Sequence, residues 1–332
     1  MDYVIHNRKK FEVIESHLDL SAKGIVDIKN IDGVDKLSDL KSLDLSYNDI
    51  KHIEGLNKLN GLEYLDFSSN QIGKIQNLNH LPNLRRLYLD NNLLIKIEGL
   101  DSQKDLEILE LSGNNLRLIS NIDHLHKLDV LKLNMNRIFE LSGLNNLKSL
   151  TKLYLEHNEI TTIENLDNLS NLKVLNLNDN EIKKIEKVEE LYRLEALILS
   201  NNFITEINGL NEQFKLMLLN FENNKISEIR GLEDCNDLRI LNLSKNKILE
   251  VKPGDLSKLK NLVNLDLNSN QIKKIEGLKD LKQLRILNLR NNQIENFDVI
   301  KSLPELETVY LQNNEISSAE LKNLKDEYGN NF

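Results

Sequence analysis

Thirteen asparagines recur along this chain: Asn48, Asn70, Asn92, Asn114, Asn136, Asn158, Asn180, Asn202, Asn224, Asn246, Asn270, Asn292 and Asn314. Successive ones lie 22 residues apart, except for the 24 between Asn246 and Asn270. Each closes the frame Leu-x-x-Leu-x-Leu-x-x-Asn-x-Ile, as in Leu172, Leu175, Leu177, Asn180 and Ile182. A segment this short cannot enclose a core of its own, so it must bury its apolar side chains against its neighbours. That requirement excludes most globular folds and leaves a stack of like coils.

The coil beginning at Leu62 shows how the frame works. Leu65 and Phe67 lie two apart, so on a strand they share one face while Tyr64, Asp66 and Ser68 take the other. Asn70 ends the strand, and its amide can serve backbone groups left open where the chain turns. Ile72, Ile75, Leu78 and Leu81 line the return. Fifteen residues after the first Leu stands Gly or Asn: Gly55, Asn77, Gly99, Asn121, Gly143, Asn165, Gly209, Gly231 and Gly277. Both types tolerate positive φ, which predicts a left-handed turn there. The segment beyond is short enough for a single 3₁₀ or helical turn. Period and frame together predict an α/β leucine-rich repeat solenoid, a curved right-handed β-α superhelix. Its concave parallel sheet would have about 13–14 strands.

The period runs without a linker, which predicts one domain over residues 1–332. Residues 1–17 would be an N-terminal cap, with Val4, Ile5, Phe11, Val13 and Ile14 supplying apolar contacts. Residues 18–316 would be the repeats. Ser317-Ser318-Ala319-Glu320 reads as a capping box, opening a C-terminal capping helix over 317–332 with Leu321, Leu324 and Tyr328 on one face.

A net charge of −9 disfavours a chain built to neutralise phosphates, so no nucleic-acid partner is expected. The single cysteine, Cys235, suits a reducing compartment. No apolar run follows the N-terminus, and none is long enough for a membrane span, which predicts a cytoplasmic or nuclear protein that is not secreted. Phosphate loops, His-Glu-x-x-His and Gly-x-Ser-x-Gly are absent from the sequence. Cys235 occupies an apolar slot of the coil and reads as filler. His80, His124 and His157 have no metal-ligand spacing. These features predict a non-enzymatic chain with no cofactor, no metal and no catalytic residue, monomeric on its own.

The frame leaves the outward strand positions open. The central one reads Asp44, Asp66, Tyr88, Glu110, Lys132, Tyr154, Asn176, Ile198, Asn220, Asn242, Asp266, Asn288 and Tyr310. Asp44, Asp66, Asp90 and Glu110 make the early coils acidic. Ile108, Val130, Val174, Ile198, Leu218 and Ile240 lay an apolar stripe on a face that would otherwise meet water, with Tyr64, Tyr88, Tyr154 and Tyr310 nearby. The predicted partner-binding set is Tyr64, Asp66, Tyr88, Glu110, Lys132, Tyr154, Glu156, Asn176, Ile198, Leu218, Asn220, Asp266, Asn288 and Tyr310. It implies a scaffold that holds a folded protein on the concave face.

The extended frame ending Ile-Glu-Gly-Leu, in residues 40–56, 84–100 and 262–278, resembles the 22-residue subclass typified by the leucine-rich regulatory subunit of protein phosphatase 1. Leu306-Glu307-Thr308-Val309-Tyr310-Leu311 looks like that subunit's final strand. The resemblance implies a protein phosphatase 1 catalytic subunit as partner, gripped by acidic and aromatic residues at the central outward position. Tyr310, Asp266 and Tyr154 agree with that pattern. Asn288 replaces a tryptophan, Ile198 a phenylalanine and Lys132 an acid, and the family's usual C-terminal cap is missing. An internalin-type surface adhesin or host-interaction protein is the alternative, since it too uses 22-residue coils. Those carry Ser-Pro before the convex Leu, where this chain has Gly-Leu.

Overall fold

The computed structural model describes residues 3–317 and residue 322. It resolves into two compact units, Met1–Ile160 and Thr161–Phe332. The first opens with an antiparallel hairpin, β1 (Tyr3–His6) and β2 (Lys9–Glu12). Parallel strands follow in sequence order: β3 (His17–Asp19), β4 (Ser42–Asp44), β5 (Tyr64–Asp66), β6 (Arg86–Tyr88), β7 (Ile108–Glu110), β8 (Val130–Lys132) and β9 (Lys152–Tyr154). The second unit has β10 (Val174–Asn176), β11 (Ala196–Ile198), β12 (Leu218–Asn220), β13 (Ile240–Asn242), β14 (Asn264–Asp266), β15 (Ile286–Asn288) and β16 (Thr308–Tyr310), also parallel and in order. Each unit is thus a parallel-sheet solenoid of the leucine-rich repeat type.

From β3 on, the middle residue of every strand is buried, as in Leu65, Leu109, Leu219 and Val309, and its two neighbours face outward. Period two over three residues is enough to set the face. The asparagine ladder supplies the turn. The Asn70 amide donates to the carbonyls of Leu45 (2.9 Å), Phe67 (3.0 Å) and Ser68 (3.2 Å), and its Oδ1 accepts from the Ile50 amide (2.9 Å). One side chain therefore ties its own coil to the preceding one, inside a layer closed to water.

The convex return departs from the expectation of a β-α superhelix. Among the described residues four 3₁₀ stretches occur, Ile28–Asn30, Val34–Lys36, Glu276–Asp280 and Asp298–Ser302. Among the described residues only Lys322 is α-helical. The apolar spacing explains it: Ile50, Ile53, Leu56, Leu59, Leu62 and Leu65 are all buried and fall every three residues. A period of three matches 3₁₀ and extended turns, whereas an α-helix would rotate such a row off one face.

Left-handed turns fall where Gly or Asn predicts them from position 55 to position 231, and Lys187 takes the same conformation at φ 60°. Gly277 does not; it lies inside the Glu276–Asp280 3₁₀ turn. The two extra residues of the preceding coil change its path, with Glu250 bridging Lys274 in parallel. Glycine is needed at 277 for closeness, since a Cβ there would overlap the Lys252 carbonyl oxygen. A further set of positive φ values, at the residue before each ladder asparagine from Tyr47 to Asn313, has no glycine signal to announce it except Gly113.

At the N-terminus, Val4 is buried and Phe11 and Val13 are half-buried, but Ile14 is 66% exposed and Ile5 faces outward. Strand alternation is the reason: in β1 the inward partner of Val4 is His6, so Ile5 takes the other face. Ile5 contributes through its backbone, exchanging hydrogen bonds of 2.9 Å with Asp32. Apart from Ser317 and Lys322, the expected capping helix over 317–332 lies outside the described residues.

Candidate partner-binding faces

The central outward positions divide into residues that close their own strand end and residues that do not. Asp44, Asp66, Asn176, Asn220, Asn242, Asp266 and Asn288 each accept, through a side-chain oxygen, the backbone amide two residues ahead. This Asx turn closes the strand end. An Asp or Asn at the central position therefore has a local cause. Glu110 does the same for Ser112 at 3.1 Å. Tyr88, Lys132, Tyr154, Ile198 and Tyr310 hold the same position without that role.

In the first unit the parallel register places Asp44, Asp66, Tyr88, Glu110, Lys132 and Tyr154 in one row. The rings of Tyr64 and Tyr88 are 5.2 Å apart, and the Tyr64 hydroxyl donates to Asp66 Oδ2 at 3.1 Å. The Ser68 hydroxyl lies 2.5 Å from Asp66 Oδ1 and 2.7 Å from Asp90 Oδ1 and can give its single proton to only one of them. Burial pushes the Asp66 carboxyl above its ordinary range, and neighbouring Asp44 adds to the shift. Burial also raises the Tyr64 phenol. The acidic character expected of this face is reduced at Glu110, which is buried and bridges Lys132 Nζ at 2.8 Å. That bond holds the Lys132 ammonium above its usual pKa. Tyr154 and Glu156 are half-buried.

In the second unit Val174, Ala196, Leu218 and Ile240 stand in register as one apolar row, continued after Asn264 by Ile286. Ile198 lies one column over, between Asn176 and Asn220. The stripe expected from sequence is therefore one column here with Ile198 set apart from it among asparagines, and in the first unit Lys152 follows Ile108 and Val130 in their column. Beyond it lies a polar cluster. Asn288 donates to Asp266 Oδ2 at 3.0 Å, Lys245 bridges Glu222 at 2.7 Å, and the Arg290 guanidinium sits 4.2 Å from the Tyr310 ring centroid. The structure thus joins Asp266, Asn288 and Tyr310 and adds Arg290, Glu222 and Lys245. Sequence places Glu222 and Arg290 outward, two beyond the central position and diagonal to the next strand's, but does not pick out their partners.

Burial raises the Asp266 carboxyl, so the folded state binds its proton more tightly than the unfolded state does. The sign follows: its ionisation opposes folding at neutral pH, and that penalty fades as pH falls through the folded pKa. Asp266→Asn keeps the Oδ1 acceptor for the Asn268 amide but gives up the Oδ2 that accepts from Asn288, so its Tm relative to the unsubstituted chain is expected to be higher at neutral pH than at acid pH. Thermal melts at both pH values check this.

Cys235 is buried, and burial pushes its thiol up to about 12, leaving it protonated and unreactive. Among the described residues no cluster of three or more His, Cys, Asp or Glu side chains could hold a metal ion, and no helix is long and apolar enough to cross a membrane.

The model for two copies of leucine-rich repeats matches residues 60–102, 148–191, 170–212, 238–280, 260–302 and 282–325, and a single-repeat model matches 36–51. No curated protein matches the chain in sequence. Solved structures do resemble it. An internalin (inlF) of Listeria monocytogenes is 28% identical with a TM-score of 0.79, over 89% of this chain and 86% of that one. A leucine-rich repeat protein of Leptospira interrogans is 27% identical with a TM-score of 0.76, over 93% of each chain. The LRIM1/APL1C complex shares the fold, at 19% identity and a TM-score of 0.75, over 85% of this chain and 54% of that one.

Proposed function

The chain belongs to the leucine-rich repeat family, and from that premise we propose that it holds a folded protein partner on the outward strand faces. The fold is typically a non-enzymatic scaffold for protein–protein interaction. One observation carries the reading: the Val174, Ala196, Leu218 and Ile240 row, which nothing in the repeat frame requires, with the half-buried Arg290–Tyr310 pair further along the same sheet. Apolar anchors with a polar rim are the usual anatomy of an interface. Ile198→Asp with Leu218→Asp is expected to abolish partner capture from native lysate, read by mass spectrometry, while far-UV circular dichroism stays unchanged. Undiminished capture by the folded variant would refute the site.

The narrower form has a protein phosphatase 1 catalytic subunit as that partner. Tyr310 and Asp266 support it through their place in one polar cluster, with Asn288 between them. A pull-down with the purified catalytic subunit tests it, and no retention at micromolar concentration would end it. This form places the protein in the cytoplasm or nucleus. A second reading, a surface or host-interaction protein of the internalin type, is favoured by the similarity to the Listeria internalin. Secretion assayed in the native host separates the two.

A further inference from the structure

A second surface lies away from the strand faces, on the flank where the chain leaves each strand. After the ladder asparagine neighbouring coils pair through Leu93 N to Ile72 O (2.9 Å), Asn115 N to Leu94 O (2.8 Å) and Arg137 N to Leu116 O (2.8 Å). Leu94, Leu116 and Ile138 point into the core, so the residues on either side of them point out. This register stacks Leu93, Asn115 and Arg137 in one column and Ile95, Arg117 and Phe139 in the next, at about the spacing of sheet strands, ~4.8 Å.

The flank is apolar where the frame does not ask for it. Leu93, Ile95, Leu118, Met135 and Phe139 are all exposed, Ile95 at 65%. In the two preceding coils the matching columns hold Asp49 with Lys51 and Gln71 with Gly73. Large exposed side chains gathered on three successive coils are uncommon on a surface meant only for water. Its charged side chains are arginines within the three coils and glutamates at the margin. Arg117 and Arg137 stand among these side chains, and neither forms an ion pair among the described residues, while Lys96 is paired with Glu98 at 2.8 Å. Glu140 and Glu159 border the patch, but no ion pair joins either to the arginines.

We infer that this flank is a second docking site, for a protein segment that is both apolar and acidic. Such a segment sets its aliphatic or aromatic side chains between the columns and its carboxylates on the two guanidiniums, whose planar forks suit bidentate carboxylate contacts. The inference is independent of the strand-face reading, since none of these residues lies on that face.

The test uses the full chain and a short fluorescein-labelled helical peptide with leucines along one face and glutamates elsewhere, together with its lysine-for-glutamate counterpart. Fluorescence anisotropy is expected to show binding of the glutamate peptide and none of the lysine peptide. Arg117→Glu with Arg137→Glu is expected to weaken binding by about tenfold or more, as loss of charge complementarity does, and Ile95→Ser with Phe139→Ser to abolish it. Surface changes of this kind leave folding intact, and circular dichroism verifies that. Equal binding of both peptides, or unchanged affinity in the folded arginine variant, overturns the inference. So does a sedimentation-velocity dimer that vanishes with the Ile95 and Phe139 substitutions, which would make a second copy the occupant.

Discussion

Replacing Asn202 by alanine is expected to destabilise the second unit by roughly 1–3 kcal/mol, the usual cost of stranding a buried polar group. Asn202 Oδ1 accepts the Ile182 amide at 2.9 Å, and the substitution orphans that N–H in a layer closed to water. The carbonyls suffer less. Leu177 O keeps the Asn180 amide at 3.1 Å and Leu199 O keeps that of Asn224 at 2.9 Å, because each strand-end carbonyl is shared by two consecutive asparagines. Asn202→Asp discriminates further. It preserves an acceptor for Ile182 but sets a second oxygen against the carbonyls, so an ionised aspartate is opposed there. Its folded pKa would be raised, and the variant should regain stability as pH falls below about 5, toward the unfolded aspartate pKa. Chemical denaturation of both variants across pH checks this; a pH-independent deficit in Asn202→Asp would show that the amide's donors are unimportant.

Leu219→Ala is expected to cost about 2–5 kcal/mol. Leu219 is fully buried at the middle of β12 and stands in register between Leu197 and Leu241. A coil is held only by its neighbours, so a cavity here removes packing from two interfaces at once. Hydrogen exchange should therefore quicken first at Leu197 and Leu241, with much less change at Val309. Uniform acceleration across the unit would mean it opens as a single cooperative block. Alanine at Ile198, which faces outward, should cost far less and serves as the control.

These expectations rest on parts of the chain whose logic is local and repeated. The Leu and Asn positions were legible because the same demand recurs in coil after coil: an inward side chain at strand centre and an amide at strand end. The left-handed turns were legible where Gly or Asn announced them. Gly277 misled because glycine has two uses, and there it admits the Lys252 carbonyl instead of a positive φ. The left-handed residues before the ladder asparagines went unseen because Tyr47, Met135 and Lys245, which carry no conformational signature, interrupt the run of Asn91, Asn201, Asn223, Asn291 and Asn313, which do.

The candidate faces divide along the same line. Sequence alone determined which residues point outward, since alternation about a buried leucine needs no knowledge of the rest of the molecule. It could not separate an Asp or Asn that closes its own strand from one available to a partner, because that depends on where an amide two residues ahead comes to lie. Nor could it reveal that Lys132 neutralises Glu110, that Arg290 lies over Tyr310, or that Ile95 and Phe139 share a column around Arg117. Each of those facts joins residues about one repeat or more apart. Periodicity specifies what a single coil must do; only stacking decides which side chains of different coils meet, and charge and apolar surface act over that distance.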